Sequence, residues 1–188
     1  MSRHDGNQME IYIGDSVRYA SERAVLERLA HLLGAARQPA IVLANVSIYG
    51  QQIDALVATG SLALVIEAKA FNRPVKGGEN GPWQVRLASG QWKKFRDPYL
   101  QAREAALAVR DAMGAFNGSD APYPGAAVVF VSAIPQGSAP FPGDFKVSVT
   151  GLDGLEALLR STQRSAWPIE RWRAFARHLG LASVLSVA

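Results

Sequence analysis

Apolar positions along this chain follow a helical spacing in some stretches and a strand spacing in others. From Ser16 to Leu33 they recur at Leu26, Leu29 and Leu33, which predicts a helix capped by Asp15 or Ser16 and stopped by Gly34. Glu22 lies on that stripe one turn earlier. Ile41 to Ile48, Gln52 to Thr59 and Leu62 to Ala70 are apolar runs of strand length with short links, which predicts an antiparallel meander. Asp97-Pro98 marks a helix start, with Asp97 as N-cap and Pro98 at the first helical position. That helix is expected to reach about Met113 and end at Gly114, with Gln101, Ala105, Ala108 and Ala112 on one small-residue face. Gly125 to Val131 is apolar without alternation, as in a central or parallel strand. A short strand at Phe145–Thr150 and helices at about Leu152–Arg160 and Pro168–Leu179 follow. Trp83–Leu87 and Gln91–Phe95 flank Ser89-Gly90 and predict an exposed hairpin. The order of elements predicts an α/β fold, αβββαβ, with a mixed central sheet flanked by helices. The 188 residues fit a single domain, its core at about 16–150 and a C-terminal helical extension at 151–188.

Composition narrows the function classes. No apolar run approaches the roughly 20 residues of a membrane span. The first eight residues are polar and lack a signal-peptide apolar region, so a cytoplasmic location is expected. The absence of cysteine removes disulfides, zinc–thiolate sites and cysteine nucleophiles together. His4, His31 and His178 are scattered, without catalytic-triad or metal-ligand spacing, and Asn45-Val46-Ser47 is a sequon with no secretion route. The net charge of +4 fits a polyanionic partner. Lys93, Lys94 and Arg96 cluster ahead of the central helix, Arg103 lies within it, and Arg160, Arg164, Arg171, Arg173 and Arg177 mark the C-terminal part.

The most informative feature is Glu67-Ala68-Lys69, which ends the apolar run Leu62-Ala63-Leu64-Val65-Ile66. Alternation puts Glu67 and Lys69 on one face of the strand. Gly60-Ser61 suits a two-residue type II′ hairpin turn. With that loop Thr59 pairs with Leu62, and counting back sets Asp54 opposite Glu67 and Lys69 opposite Gln52. Cβ atoms of directly paired residues lie roughly 4.5–5.5 Å apart, where like charges repel. Two carboxylates at that spacing suit a hard divalent cation, which cancels the repulsion. The competing reading is a structural ion pair to Lys69.

The order of elements and these acids resemble the PD-(D/E)xK phosphodiesterases of the restriction-endonuclease-like fold, and within them the nuclease-related domain, NERD. The resemblance rests on Ser21-Glu22-Arg23, Ile53-Asp54, Ile66-Glu67-Ala68-Lys69 and Asp97-Pro98-Tyr99-Leu100-Gln101, and covers about residues 16 to 132. Ala55, Ala70 and Asp97 depart from residues the family often carries, none of them expected to hold metal. The resemblance implies that Asp54, Glu67 and the main-chain carbonyl of Ala68 hold Mg²⁺, with Mn²⁺ as a substitute and Glu22 as a direct or water-bridged ligand. Lys69 is then expected to orient the attacking water, and Gln101 to donate to Lys69, water or phosphate. The implied reaction is hydrolysis of DNA, leaving a 5′-phosphate. Lys93, Lys94, Arg96 and Arg103 are the expected phosphate contacts, and Trp83 and Trp92 the expected base-stacking residues. A homodimer would suit cutting of two strands. The alternative is a non-catalytic DNA-binding or protein-interaction module that keeps the fold.

Overall fold

The apolar meander expected between residues 41 and 70 forms, and it is the middle of a larger sheet. The computed structural model describes residues 9–17, 19–79, 81–118, 121–139, 147–163 and 166–187. His4, Arg164 and the first residues of the strand expected at Phe145 lie outside them. The chain runs β1 (Met9–Ile13), α1 (Ala20–Ala36), β2 (Ala40–Ile48), β3 (Gln51–Thr59), β4 (Ala63–Lys69), β5 (Val75–Lys76), β6 (Gln84–Arg86), β7 (Trp92–Lys94) and α2 (Pro98–Asn117). It continues through β8 (Gly125–Phe130), β9 (Val147–Gly151), a 3₁₀ turn at Leu152–Gly154, α3 (Leu155–Leu159), α4 (Ile169–His178) and β10 (Ser183–Val187).

Seven strands form one mixed sheet in the order β10-β1-β2-β3-β4-β8-β9. β2, β3 and β4 are the antiparallel meander, while β8 joins β4 and β9 joins β8 in parallel, and β1 joins β2 in parallel. β8 carries an unbroken apolar run because both of its faces are covered. On one face Tyr99, Ala102, Ala105, Val109 and Met113 of α2 pack on Leu43, Leu56, Val65 and Val128, joined by Trp172 and Phe175 of α4. On the other face Val25, Leu29 and Leu33 of α1 pack on Val42, Val57, Leu64 and Val129. The result is a mixed α/β fold with helices on both sides of a mixed sheet, consistent with the restriction-endonuclease-like architecture. Among the described residues no helix is long and apolar enough to cross a membrane.

Several boundaries differ from the sequence reading, each for a physical reason. α1 starts at Ala20 rather than Ser16, because Gly14 and Asp15 still donate main-chain hydrogen bonds to Ala44 and Asn45 at 3.0 and 2.8 Å, which keeps the chain extended. α1 also runs through Gly34 and stops at Arg37, which takes the left-handed conformation (φ 50°) that closes a helix. α2 passes Gly114 to Asn117. Its start is as expected: Asp97 accepts from the Leu100 N–H at 3.1 Å. β1 and β10 were not anticipated, and they pair with each other antiparallel. The stretch 151–188 is therefore not wholly helical, since it ends as an edge strand of the main sheet. The exposed hairpin forms as β6 and β7, and β5 adds a third strand to it.

Candidate functional site

The β3–β4 hairpin has the expected register, reached through a different turn. Gly60 does not take the positive φ that a type II′ turn needs. Instead the Thr59 hydroxyl accepts the Ser61 N–H at 3.2 Å, and the Thr59 N–H bonds to the Leu62 carbonyl at 2.9 Å. The loop stays two residues long, and pairing proceeds from Ala58↔Ala63 to Ala55↔Ile66, where the ladder stops. One step further in that register come Asp54 and Glu67.

The ladder ends there because a side chain replaces the main chain. Alternating hydrogen-bonded pairs, counted from Thr59↔Leu62, predict Ile53↔Ala68 as the next pair after Ala55↔Ile66. The Ala68 N–H instead donates to Asp54 Oδ2 at 2.8 Å. On β4 the Lys69 carbonyl points toward β8, where it accepts the Val131 N–H at 3.1 Å. Ala68 therefore turns its main-chain groups the other way, toward Asp54 and the opened edge. The carboxylates of Asp54 and Glu67 interact at that edge, and the alternation of β4 turns the Ala68 carbonyl toward it.

The electrostatics at this edge are unbalanced. Glu67 is 5% exposed, and Lys69 Nζ donates to its Oε1. Burial pushes the Glu67 carboxyl up to about 7, the Asp54 charge adds to the rise, and Lys69 and, least of all, Arg96 oppose it. The Asp54 carboxyl is also raised, chiefly by burial, against the Ala68 hydrogen bond and Lys69. One ammonium thus serves two acids, Glu67 buried and Asp54 half-buried. An all-oxygen donor set with excess negative charge fits Mg²⁺, which takes one or two carboxylates and completes its shell with water and phosphate oxygens.

Glu22 is buried in the first turn of α1 and lines a cleft of about 280 Å³ with Asp15, Tyr19, Asn45, Gln52 and Asp54. Among the described residues no three His, Cys, Asp or Glu side chains converge as a metal-binding group. Glu22, expected as a direct or water-bridged ligand, shares this cleft with Asp54. It follows the stripe of α1 that packs on one face of the sheet, whereas Glu67 lies on the face that carries Val65. Gln101 sits half-buried in the first turn of α2, its main-chain N–H bonded to Asp97 at 3.1 Å.

Of the expected nucleic-acid contacts, Lys93, Lys94 and Arg96 are exposed and Arg103 is half-buried on α2. Trp92 is half-buried with Lys76 Nζ 4.4 Å from its ring centre. Trp83 is corrected from a stacking residue to a core residue. It is 0% exposed, donates its indole N–H to the Gly78 carbonyl at 3.1 Å, and packs edge-on against Phe95. A side chain on Gly77 would collide with its ring, so this tryptophan fastens the small sheet to the body of the protein.

A family model described as the nuclease-related domain, NERD, matches residues 18–131. The chain belongs to the NERD family. The matched stretch contains Glu22, Asp54, Glu67, Lys69 and Gln101 and the basic residues of β7 and α2, and it makes the domain nuclease-related. No curated protein and no solved structure matches the chain.

The sequence reading of this NERD domain missed Asn45 and Gln52, which line the same cleft. Gln52 Nε2 donates to Asn45 Oδ1, and Asn45 Nδ2 donates to the Ser16 carbonyl at 2.6 Å. The one sequence signal was an asparagine inside an apolar strand. It matters because Asn45 takes a left-handed conformation, φ 48°, that few residue types other than glycine, asparagine and aspartate adopt readily.

Proposed function

We propose that this NERD domain is a Mg²⁺-dependent nuclease hydrolysing phosphodiester bonds in DNA to leave a 5′-phosphate, with Mn²⁺ able to substitute. The observation that supports this is the meeting of Asp54 and Glu67 at the opened end of the β3–β4 hairpin, with one lysine between them. Asp54, Glu67 and the Ala68 carbonyl would hold the cation, with Glu22 as a further direct or water-bridged ligand. When bound, the cation polarises the phosphodiester and lowers the pKa of a coordinated water. Lys69 orients the attacking water and offsets charge that builds on the phosphoryl oxygens. Gln101 donates its side-chain amide to water or phosphate at the start of α2, where the helix dipole also favours an anion. Lys93, Lys94, Arg96 and Arg103 neutralise the strand's phosphates, and Trp92, with Lys76 over its ring, is the aromatic contact. A homodimer would bring two such sites to the two strands of a duplex.

The test is incubation of plasmid and linear DNA with the protein and Mg²⁺ or Mn²⁺, beside Asp54→Ala and Lys69→Ala. Cleavage by the wild type alone is the expected result, and cleavage surviving both substitutions removes the assignment. One observation favours a second reading, a non-catalytic DNA-binding module: the Lys69 amine is already bonded to Glu67. That reading is favoured if no nucleic acid is cut and divalent ions leave the melting temperature unchanged.

A further inference from the structure

We propose that Asn45 is a positioning residue for the cation site, and that the kink it puts in β2 is what turns Asp54 out of the ladder. This rests on the reading of Asp54 as a cation ligand. The β2–β3 ladder runs without a break from Ala40↔Thr59 to Ala44↔Ala55 and resumes at Val46↔Ile53, leaving Asn45 and Asp54 as the step without a pair. The facing of both strands changes at the same step. On β2, Ile41 and Leu43 face the α2 side of the sheet, and so do Val46 and Ile48. On β3, Leu56 and Ala58 face that side, and so does Ile53. A regular strand keeps one parity on each face, so a half-turn of backbone is inserted on each strand at this point. Asn45 supplies it on β2 with its left-handed φ of 48°.

The side chain of Asn45 then locks the kink to its surroundings. Its Nδ2 holds the Ser16 carbonyl at 2.6 Å, its Oδ1 accepts from Gln52 on the facing strand, and its main-chain carbonyl accepts the Asp15 N–H at 2.8 Å. These bonds clamp the segment that leads into α1, whose first turn carries Glu22. Gly14 is required behind the kink, since a Cβ there would lie 2.8 Å from the Asn45 carbonyl oxygen and 3.0 Å from Val46 Cα. Asn45 therefore governs two acids of the cleft without holding the cation itself: Asp54 through the missing ladder step, and Glu22 through the Ser16 clamp. Residues that orient ligands in this way change metal affinity by roughly 10- to 100-fold when removed.

Calorimetric titration of the full chain with Mn²⁺, compared across wild type, Asn45→Gly, Gln52→Ala and Asp54→Ala, tests this. Glycine keeps the left-handed backbone and removes only the side-chain bonds. Asn45→Gly is expected to fold, as judged by circular dichroism, to bind Mn²⁺ roughly 10-fold more weakly, and to lower kcat without raising KM for DNA. Gln52→Ala, at an exposed residue, weakens binding less and decides the matter alone if Asn45→Gly does not fold. Wild-type Mn²⁺ affinity in both variants, with binding lost in Asp54→Ala, overturns the role of Asn45 and leaves the site standing. Unchanged binding in Asp54→Ala as well overturns both.

Discussion

Glu10 on β1 and Glu67 on β4 are both buried and both bonded to a cation, yet their surroundings differ in one decisive respect. Glu10 accepts from the Tyr12 hydroxyl at 2.9 Å through one oxygen and from Arg173 Nε at 2.5 Å through the other. Both of its oxygens have partners, one cation serves one buried acid, and the bond ties β1 to α4. Glu67 shares its single lysine with Asp54, and its carboxyl is raised to about 7. Burial and an ion pair are common to both positions. What differs is the number of acids per cation, and only the second arrangement leaves negative charge for an added cation to neutralise.

The comparison breaks most visibly in activity. Asp54→Ala and Lys69→Ala are each expected to lower DNA cleavage by on the order of 10²–10³-fold, whereas Arg173→Met, at the other glutamate, leaves the rate per folded molecule unchanged. A plasmid-nicking time course in Mg²⁺ reads all three. Equal losses at both glutamates would remove the distinction.

The next effect is on stability against pH without divalent ions. The Glu67 carboxyl rises from 4.5 to about 7 on folding, so between those values the folded protein keeps a proton that the unfolded chain has lost. Unfolding then releases a proton, and stability falls as pH rises through this window, by about 3 kcal/mol in all. Urea midpoints at pH 4.5 and 7.5 in chelator should show the fall, Glu67→Gln should flatten it, and millimolar Mg²⁺ should recover it, because the cation binds the folded state.

At the balanced glutamate, Arg173→Met leaves a buried carboxylate without its guanidinium and should cost about 2 kcal/mol, seen as a lower urea midpoint with unchanged Mn²⁺ affinity. The smallest effects lie on the small sheet. Lys93→Ala and Lys94→Ala should each weaken DNA binding evenly across sequences and reduce the salt slope by about 1, measured by fluorescence anisotropy. Trp83→Phe should lower the melting temperature and leave that slope alone, because the ring is in the core.

Much of the site was legible because it is written in local signals. Alternation along β4 and a two-residue loop set Glu67 and Lys69 on one face and Asp54 across from Glu67. The register survived even though Gly60 does not adopt the expected turn, since loop length alone controls the count. Asp97-Pro98 marked the start of α2 by its own capping chemistry. The misses share a different origin. β1 and β10 come from opposite ends of the chain, and each is a strand because the other elements of the sheet are present to pair with it. Trp83 looks like a surface aromatic in a polar stretch and is buried because Gly77 and Phe95 make room for it.

The residue types and their spacing thus determined which acids belong together, where the central helix begins, and that helices would cover a mixed sheet. Only the folded chain decided that Asn45 would twist β2, that Asp54 would leave its ladder to take the Ala68 N–H, and that Glu22 would enter the cleft from the other face of the sheet. Periodicity records the hydrogen bonds a segment makes with its neighbours in sequence. A kink held by Ser16, Gln52 and the tail of β1 records bonds between segments far apart, which leave no period to read.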